Sequence, residues 1–415
     1  MIWGERELYR LNNFLGERFE RIQTIIDSEY GNINSYINLI GSANYAFPSV
    51  LKALDTPFNL NPLEGSRGKR YFPMSRNIDE LNNLGEELLN ELFKTQNYYA
   101  NFEPYSGTQA NHIVYQAILS NDDKVLAMSP RSGGHVSHSL YLKQHYNLLE
   151  YDITSNEEID YDVIYKICLL ERPKLLIAGY SSYPRAVDYA ILGNICKKTG
   201  TLLLADISHT AIYIMADTHI SPFEHADFVT FTTHKTTRGI RGGIVMCKKK
   251  FTNDINRAIF PIEQGAPKFN EVLAKLIMLY ELKEIDINEY VNTIMKISQK
   301  FVEIFVSYGI KIYTSGTDTH LILIDLRNEE ITGQQCESLL CQEHILVNRN
   351  QLPNDKRNAF DASGIRLGVL TLATINMSCN DYSSVAEIIA QTVVKKQIVD
   401  NSTAIEIMKR YNIVN

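Results

Sequence analysis

The sequence predicts an α/β protein built on a largely parallel sheet. Between residues 100 and 250, short apolar runs alternate with longer stretches whose apolar residues recur at helical spacing. Two of those runs, Leu202-Leu-Leu-Ala-Asp206 and Phe228-Val-Thr-Phe-Thr232, carry polar groups to their carboxyl ends. An open parallel sheet places its functional groups there.

Taken in order, residues 4–30 alternate charged and apolar groups and predict an amphipathic helix. Asp79 to Phe93 predicts a second, with leucines at 81, 84, 88, 89 and 92 on one side. Strands are predicted at Lys124–Met128, Lys174–Gly179, Leu202–Asp206, Phe228–Thr232 and Gly243–Cys247. The stretch Ser139–His145 is expected as a loop. From Lys268 to Val306 the pattern is helical and leads to a smaller C-terminal unit with a strand at Leu321–Leu326. Ser384 to Tyr411 predicts one or two helices. The expected division is an N-terminal helical arm (1–35), a large domain (36–275), and a linking helix with a small C-terminal domain (276–415).

A chain of 415 residues, 45% apolar and 21% charged, has the composition of a soluble globular protein with room for more than one domain. A net charge of −7 gives no reason to expect a nucleic-acid partner. The cysteines at 168, 196, 247, 336, 341 and 379 form no C-x-x-C pair, which argues against a disulfide framework and a zinc site. No apolar stretch reaches membrane-span length, and the charged N-terminus lacks a signal-peptide core, so no membrane partner and a cytoplasmic location are expected.

Several segments carry chemistry. Lys235 follows an apolar run into a loop rich in threonine, arginine and glycine, a setting that suits a Schiff-base lysine. On its own it reads far more readily as an ordinary surface lysine. Ser106-Gly107-Thr108 opens an apolar helix, where backbone N–H groups and the helix dipole make an anion site; the plain alternative is an ordinary cap. Asp206 ends a strand, as either a partner for a ring nitrogen or a helix cap. Glu64 sits in Glu64-Gly-Ser-Arg-Gly-Lys-Arg-Tyr71, as either an acid/base group or part of a solvated charge cluster. Arg366, in Ser363-Gly-Ile-Arg-Leu-Gly368, suits a bidentate carboxylate clamp or an internal ion pair.

In this order and spacing the segments resemble the serine hydroxymethyltransferase family. Thr230-Phe-Thr-Thr-His-Lys-Thr-Thr-Arg-Gly-Ile-Arg-Gly-Gly243 is similar to the family's T-T-T-T-H-K-T-x-x-G-P-R-G-G, and Tyr105-Ser-Gly-Thr-Gln-Ala-Asn111 to H-S-G-S-Q-A-N. Ser132-Gly-Gly-His-Val-Ser-His138 resembles H-G-G-H-L-T-H, and Asn38-Leu-Ile-Gly-Ser-Ala-Asn-Tyr45 resembles L-I-A-S-E-N-[FY]. Val347-Asn-Arg-Asn350 and Phe260-Pro-Ile-Glu-Gln-Gly-Ala-Pro267 also match in place. The resemblance implies the aminotransferase-like pyridoxal-phosphate fold (fold type I), with a mostly parallel sheet of the seven-stranded type and a smaller α/β C-terminal domain.

The resemblance further implies pyridoxal 5'-phosphate as cofactor and tetrahydrofolate as a candidate co-substrate. It implies a small amino-acid substrate, and a homodimer with shared active sites. Catalytic roles fall on Lys235, Glu64, His234 and Asp206. Cofactor contacts fall on Ser106, Gly107, Thr108, His135, Ser181, Asp206, His209, His234, Lys235, Arg241, Gly265 and Ala266. Substrate contacts fall on Ser42, Arg366 and Asn350. The chain departs from the family at Ala43 (glutamate), at Pro62 and Phe72 (tyrosines), at Pro130, Arg131 and Val136 near the folate pocket, and at Ile262-Glu263 (Gly-Gly). The implied activity makes or breaks the Cα–Cβ bond of a β-hydroxy amino acid. The alternatives are a folate-independent threonine aldolase or transaldolase and a non-catalytic cofactor-binding paralogue.

Overall fold

A computed structural model describes residues 17–411 and residue 413. Seven strands form the central sheet: β1 Tyr98–Asn101, β2 Lys124–Met128, β3 Asn147–Tyr151, β4 Leu175–Gly179, β5 Leu202–Asp206, β6 Phe228–Thr232 and β7 Gly243–Lys248. Their spatial order is β1-β7-β6-β5-β4-β2-β3. Pairings from β3 through β6 are parallel, and β7 runs antiparallel to both of its neighbours, β6 and β1. The inner strands β4, β6 and β7 are buried on both faces, which is why they read as continuous apolar runs and not as alternating ones. Successive residues still feed opposite layers. Leu204, Phe228 and Val245 join the cluster under one face, and Leu203, Val229 and Met246 join the larger cluster under the other.

The longer helices are α1 Glu17–Ser35, α2 Arg76–Leu92, α3 Gly107–Ile118, α4 Tyr161–Glu171, α5 Tyr189–Thr199, α6 Phe269–Glu284, α7 Ile287–Ser307, α8 Gly333–Gln342, α9 Cys379–Lys395 and α10 Thr403–Tyr411. Helix α1 accounts for the later part of the helix expected at 4–30; its first residues, 4–16, lie outside the described residues. The expected helix from Lys268 to Val306 is two helices. Ile285 is extended, and Asp286 starts α7 by accepting the Glu289 amide on its side chain. Helix α6 runs through the 275/276 boundary without a break. The expected loop at Ser139–His145 contains a short helix, Leu140–His145, held by the buried Leu142.

A second sheet, β8 Leu321–Asp325, β9 Asn348–Asn350 and β10 Gly364–Gly368, is antiparallel, with β10 in the middle. Ile37–Asn38 pairs in parallel with Ile345–Leu346, and the Gly368 amide donates to the Leu39 carbonyl at 2.8 Å. The segment that resembles L-I-A-S-E-N-[FY] is thereby fastened to the C-terminal unit. Among the described residues no helix is long and apolar enough to cross a membrane.

Candidate active site

A cavity of about 300 Å³ opens at the carboxyl ends of β4, β5 and β6. Ser106, Gly107 and Thr108 form one wall, at the start of α3. Ser106 is extended and its hydroxyl accepts the Gln109 amide, so it caps the helix as its residue type favours. The first-turn amides of Gly107 and Thr108 have no acceptor within the helix by geometry and point along its positive end. A Cβ on Gly107 would stand 2.5 Å from Thr232 Cγ2, so only glycine lets strand and helix approach this closely. Arg241 and His234 stand beside this wall, Nη1 to Nε2 at 3.4 Å. Two buried polar atoms here, Thr232 Oγ1 and His234 Nδ1, have no partner. Free amides, a guanidinium, a hydroxyl and an imidazole fit a phosphate ester.

The floor is Asp206. Its Oδ2 accepts from Asn111 Nδ2 at 2.8 Å and lies 3.2 Å from His138 Nε2; its Oδ1 accepts from the Ser208 hydroxyl at 2.6 Å and the Ser208 amide at 3.1 Å. Burial alone would raise this carboxyl's pKa. The bond and charge of His138 and the bonds from Ser208 and Asn111 outweigh burial and hold it well below the usual carboxylate range. A carboxylate fixed in the ionised form is what a protonated ring nitrogen requires. The ring of His135 lines the same cavity. Its Nδ1 accepts the Ser137 amide at 3.2 Å, and burial, followed by the nearby His138, lowers its pKa to about 4. It is therefore a neutral, flat surface suited to stacking on a ring.

Lys235 enters from the loop after β6. Its Nζ lies 3.2 Å from His209 Nε2, and its carbonyl accepts from Asn44 Nδ2 at 2.7 Å. Burial lowers its pKa to about 8, with Asp206 opposing and Arg366 and Arg241 assisting. A buried amine that sheds its proton near neutrality is a nucleophile.

Arg366 reaches in from β10 and lines the cavity together with Ser42. Its partners are neutral: the Ser181 carbonyl at 2.7 Å, and Asn348 Oδ1, which accepts from Nη2 at 3.1 Å and Nε at 3.3 Å. None is a carboxylate, so the internal ion pair considered for this arginine is not what the geometry shows. Burial lowers its pKa to about 10. A partly buried cation without a counter-charge is a receptor for a substrate carboxylate.

Of the residues expected at the site, Ser42, Ser106, Gly107, Thr108, His135, Ser181, Asp206, His209, His234, Lys235, Arg241 and Arg366 line this cavity. Glu64, Gly265, Ala266 and Asn350 do not. Glu64 Oε1 stands 3.7 Å from where a Gly265 Cβ would lie, and the Ala266 carbonyl accepts from the Tyr105 hydroxyl at 3.0 Å. Asn350 donates its amide to the neighbouring Gln351 carbonyl. Sequence reasoning assigned no role to Asn111, His138, Ser208, Thr232 or Asn348, all of which line or brace the site. Asn111 was findable: it lies four residues after Gly107, on the same helix face.

A serine hydroxymethyltransferase family model matches residues 15–389. The serine hydroxymethyltransferase of Methylobacillus flagellatus is 36% identical over 381 residues, covering 91% of this chain and 90% of that protein. The probable serine hydroxymethyltransferase of Mesomycoplasma hyopneumoniae is 38% identical over 386 residues, covering 92% of each.

Proposed function

From the premise that this chain belongs to the serine hydroxymethyltransferase family and is a pyridoxal-phosphate-dependent enzyme of that type, we propose that it moves the hydroxymethyl carbon of serine, leaving glycine, with tetrahydrofolate as the acceptor. One observation carries this assignment: Lys235, Asp206, His135, Arg366 and the anion-binding start of α3 surround one cavity.

Pyridoxal phosphate, when bound, supplies a ring that draws off the electrons of a breaking bond at the substrate Cα. Ser106, Gly107, Thr108, Arg241 and His234 would hold its phosphate. Asp206 would keep the ring nitrogen protonated, and His135 would cover one face. Arg366 takes the serine carboxylate through both arms of its guanidinium, with Ser42 beside it. Such a clamp would fix the orientation of the substrate's Cα bonds within the cavity. Lys235 would supply the amine that holds the cofactor, and His209 adjoins its Nζ.

Glu64, Gly265 and Ala266 stand together outside the cavity. A homodimer in which each chain offers these residues to the other's cavity gives Glu64 its work, proton transfer at the serine hydroxyl. Asn350 lies in the same strand as Asn348, the residue that steadies Arg366, and is assigned to the folate side.

The test is turnover by the cofactor-loaded protein with serine, with and without tetrahydrofolate. Glycine formation that requires the folate supports the proposal. Glycine or acetaldehyde release from β-hydroxy amino acids at the same rate without folate refutes it in favour of an aldolase.

A further inference from the structure

Behind Lys235 lies a chain of buried ring nitrogens that leads away from the cavity. His209 Nε2 faces Lys235 Nζ at 3.2 Å, and His209 Nδ1 faces His320 Nε2 at 3.3 Å. The same His320 Nε2 lies 3.1 Å from the Gly41 carbonyl, and His320 Nδ1 lies 3.3 Å from the Tyr213 hydroxyl. The two imidazole planes are 18° from parallel, and His320 is fully enclosed. Lys235, His209 and Tyr213 are buried as well.

A carbonyl oxygen has only lone pairs to offer. The Gly41 carbonyl therefore requires the proton of His320 on Nε2, leaving Nδ1 to accept from Tyr213. That Nε2–H also points at His209 Nδ1, which must then be unprotonated. A neutral His209 so constrained carries its proton on Nε2, facing Lys235. An ammonium cannot accept that proton, but a free amine can. The opposite tautomer of His209 would set a His320 lone pair against the Gly41 carbonyl lone pairs at 3.1 Å.

We propose that His320 is a positioning residue: fixed by the Gly41 carbonyl, it sets the tautomer of His209 and thereby selects the neutral amine of Lys235. The selection rests on Lys235 being the reactive amine; the tautomer assignment does not. Burial agrees, pushing His320 down to about 3 and His209 well below the ordinary histidine range, so both rings are neutral near pH 7. Other groups act on Lys235 from the elements packed around it. Asp206 on β5 favours the ammonium, and Arg366 on β10 and Arg241 in the lysine loop oppose it. His135 after β2 and His234 in the lysine loop line the same cavity. None of these sets the direction of the His209 proton. The Gly41 carbonyl does, and it belongs to the segment that also carries Ser42, so the lysine state is tied to the seating of the substrate-side strand.

The experiment uses the full-length chain before cofactor is added. With 15N-labelled histidine, and His209 assigned by loss of its signals in His209→Gln, the ring shifts report which nitrogen is protonated. The expected result is Nε2–H; an Nδ1–H tautomer overturns the proposal. With 13Cε-labelled lysine, assigned by Lys235→Arg, the Lys235 titration is compared among the native chain, His320→Leu and His320→Gln. Leucine removes the donor and is expected to raise the titration by about one unit, a roughly tenfold smaller neutral fraction at a given pH below it. Glutamine keeps an N–H donor and is expected to retain the native value. Titrations that coincide in all three, or a glutamine variant shifted as far as leucine, overturn the proposal. If the leucine variant does not fold, the native tautomer and the glutamine titration still decide. Loss of cofactor binding in Lys235→Ala tests the identity of the reactive lysine separately.

Discussion

Gly243→Ala is a one-carbon change that should damage the cofactor site from outside it. The Gly243 amide donates to the Pro104 carbonyl at 3.0 Å, and a Cβ at this position would stand 2.3 Å from the Ser106 carbonyl oxygen, 2.6 Å from its carbon and 3.0 Å from the Gly107 nitrogen. All three are backbone atoms, so no side chain can rotate away. Restoring ordinary contact needs a displacement on the order of 1 Å. Gly243 begins β7, which is hydrogen-bonded on both sides by β6 and β1. The part free to yield is the Ser106–Thr108 turn, which is the phosphate wall. Overpacking of this size costs about 2 kcal/mol, and when it falls on the binding amides that is roughly 30-fold in cofactor Kd. Titration of pyridoxal phosphate followed by absorbance measures the loss, with thermal unfolding run in parallel. Gly31→Ala is the comparison, because a Cβ there meets nothing within 4 Å. Unchanged cofactor affinity in Gly243→Ala would show that the wall does not transmit the clash, and the assignment of the phosphate to it would fail.

Other outcomes follow from the same geometry. Lys235→Ala should abolish the long-wavelength absorbance of the cofactor-bound protein; a retained spectrum would move the reactive amine elsewhere. Because burial lowers Lys235 to about 8, its neutral fraction grows as pH rises towards that value and saturates above it. The rate of cofactor capture in stopped flow should therefore climb about tenfold per unit below pH 8 and then level; a rate flat with pH contradicts the assignment. Arg366→Met should raise KM for serine on the order of 100-fold while raising unfolding stability by about 1 kcal/mol, because it removes a partly buried cation that has only neutral partners. Lower stability on denaturant unfolding would argue against an uncompensated charge. For Asp206 the folded pKa lies below the unfolded one, so its contribution is present above the ordinary aspartate range and lost as pH falls through the folded value. Asp206→Asn should thus destabilise the cofactor-free protein by about 2 kcal/mol near neutrality, with the gap to the native chain closing on acidification. A gap constant with pH would count against an ionised Asp206.

Five of the seven strands were legible because they are apolar runs buried in the sheet, and a run such as Leu202–Ala205 has few other places to go; β1 and the partly exposed edge strand β3 were not. Lys235, Asp206 and Ser106 were legible because each sits where a strand ends or a helix begins, positions marked by local composition. Asn348 was not legible. Its role is to hold Arg366, which depends on the pairing of β9 with β10 and not on any local pattern. His138 stood in a quoted motif, but nothing in the motif says that its ring lies behind Asp206, reached from another strand. Lys275 is the clearest omission. It reads as one polar position in an apolar helix, yet it is buried and donates to the Phe102 and Pro104 carbonyls just ahead of the phosphate wall. The break at Ile285 was missed because the apolar spacing continues across it, while the capping aspartate after it was a signal in plain view.

The fastening of Ile37–Asn38 to Ile345–Leu346 bears on when the enzyme becomes competent during synthesis. Every cavity-lining residue from Ser106 to Arg241 belongs to the continuous stretch that builds the large sheet, and that sheet gains its cover once α6, which carries Lys275, has followed β7. Ser42 is made much earlier but has no fixed seat until residues 345–368 emerge, together with Arg366. A nascent chain therefore holds the cofactor wall long before it holds the substrate clamp. An amino acid has no paired grip from Ser42 and Arg366 until the last sheet is in place.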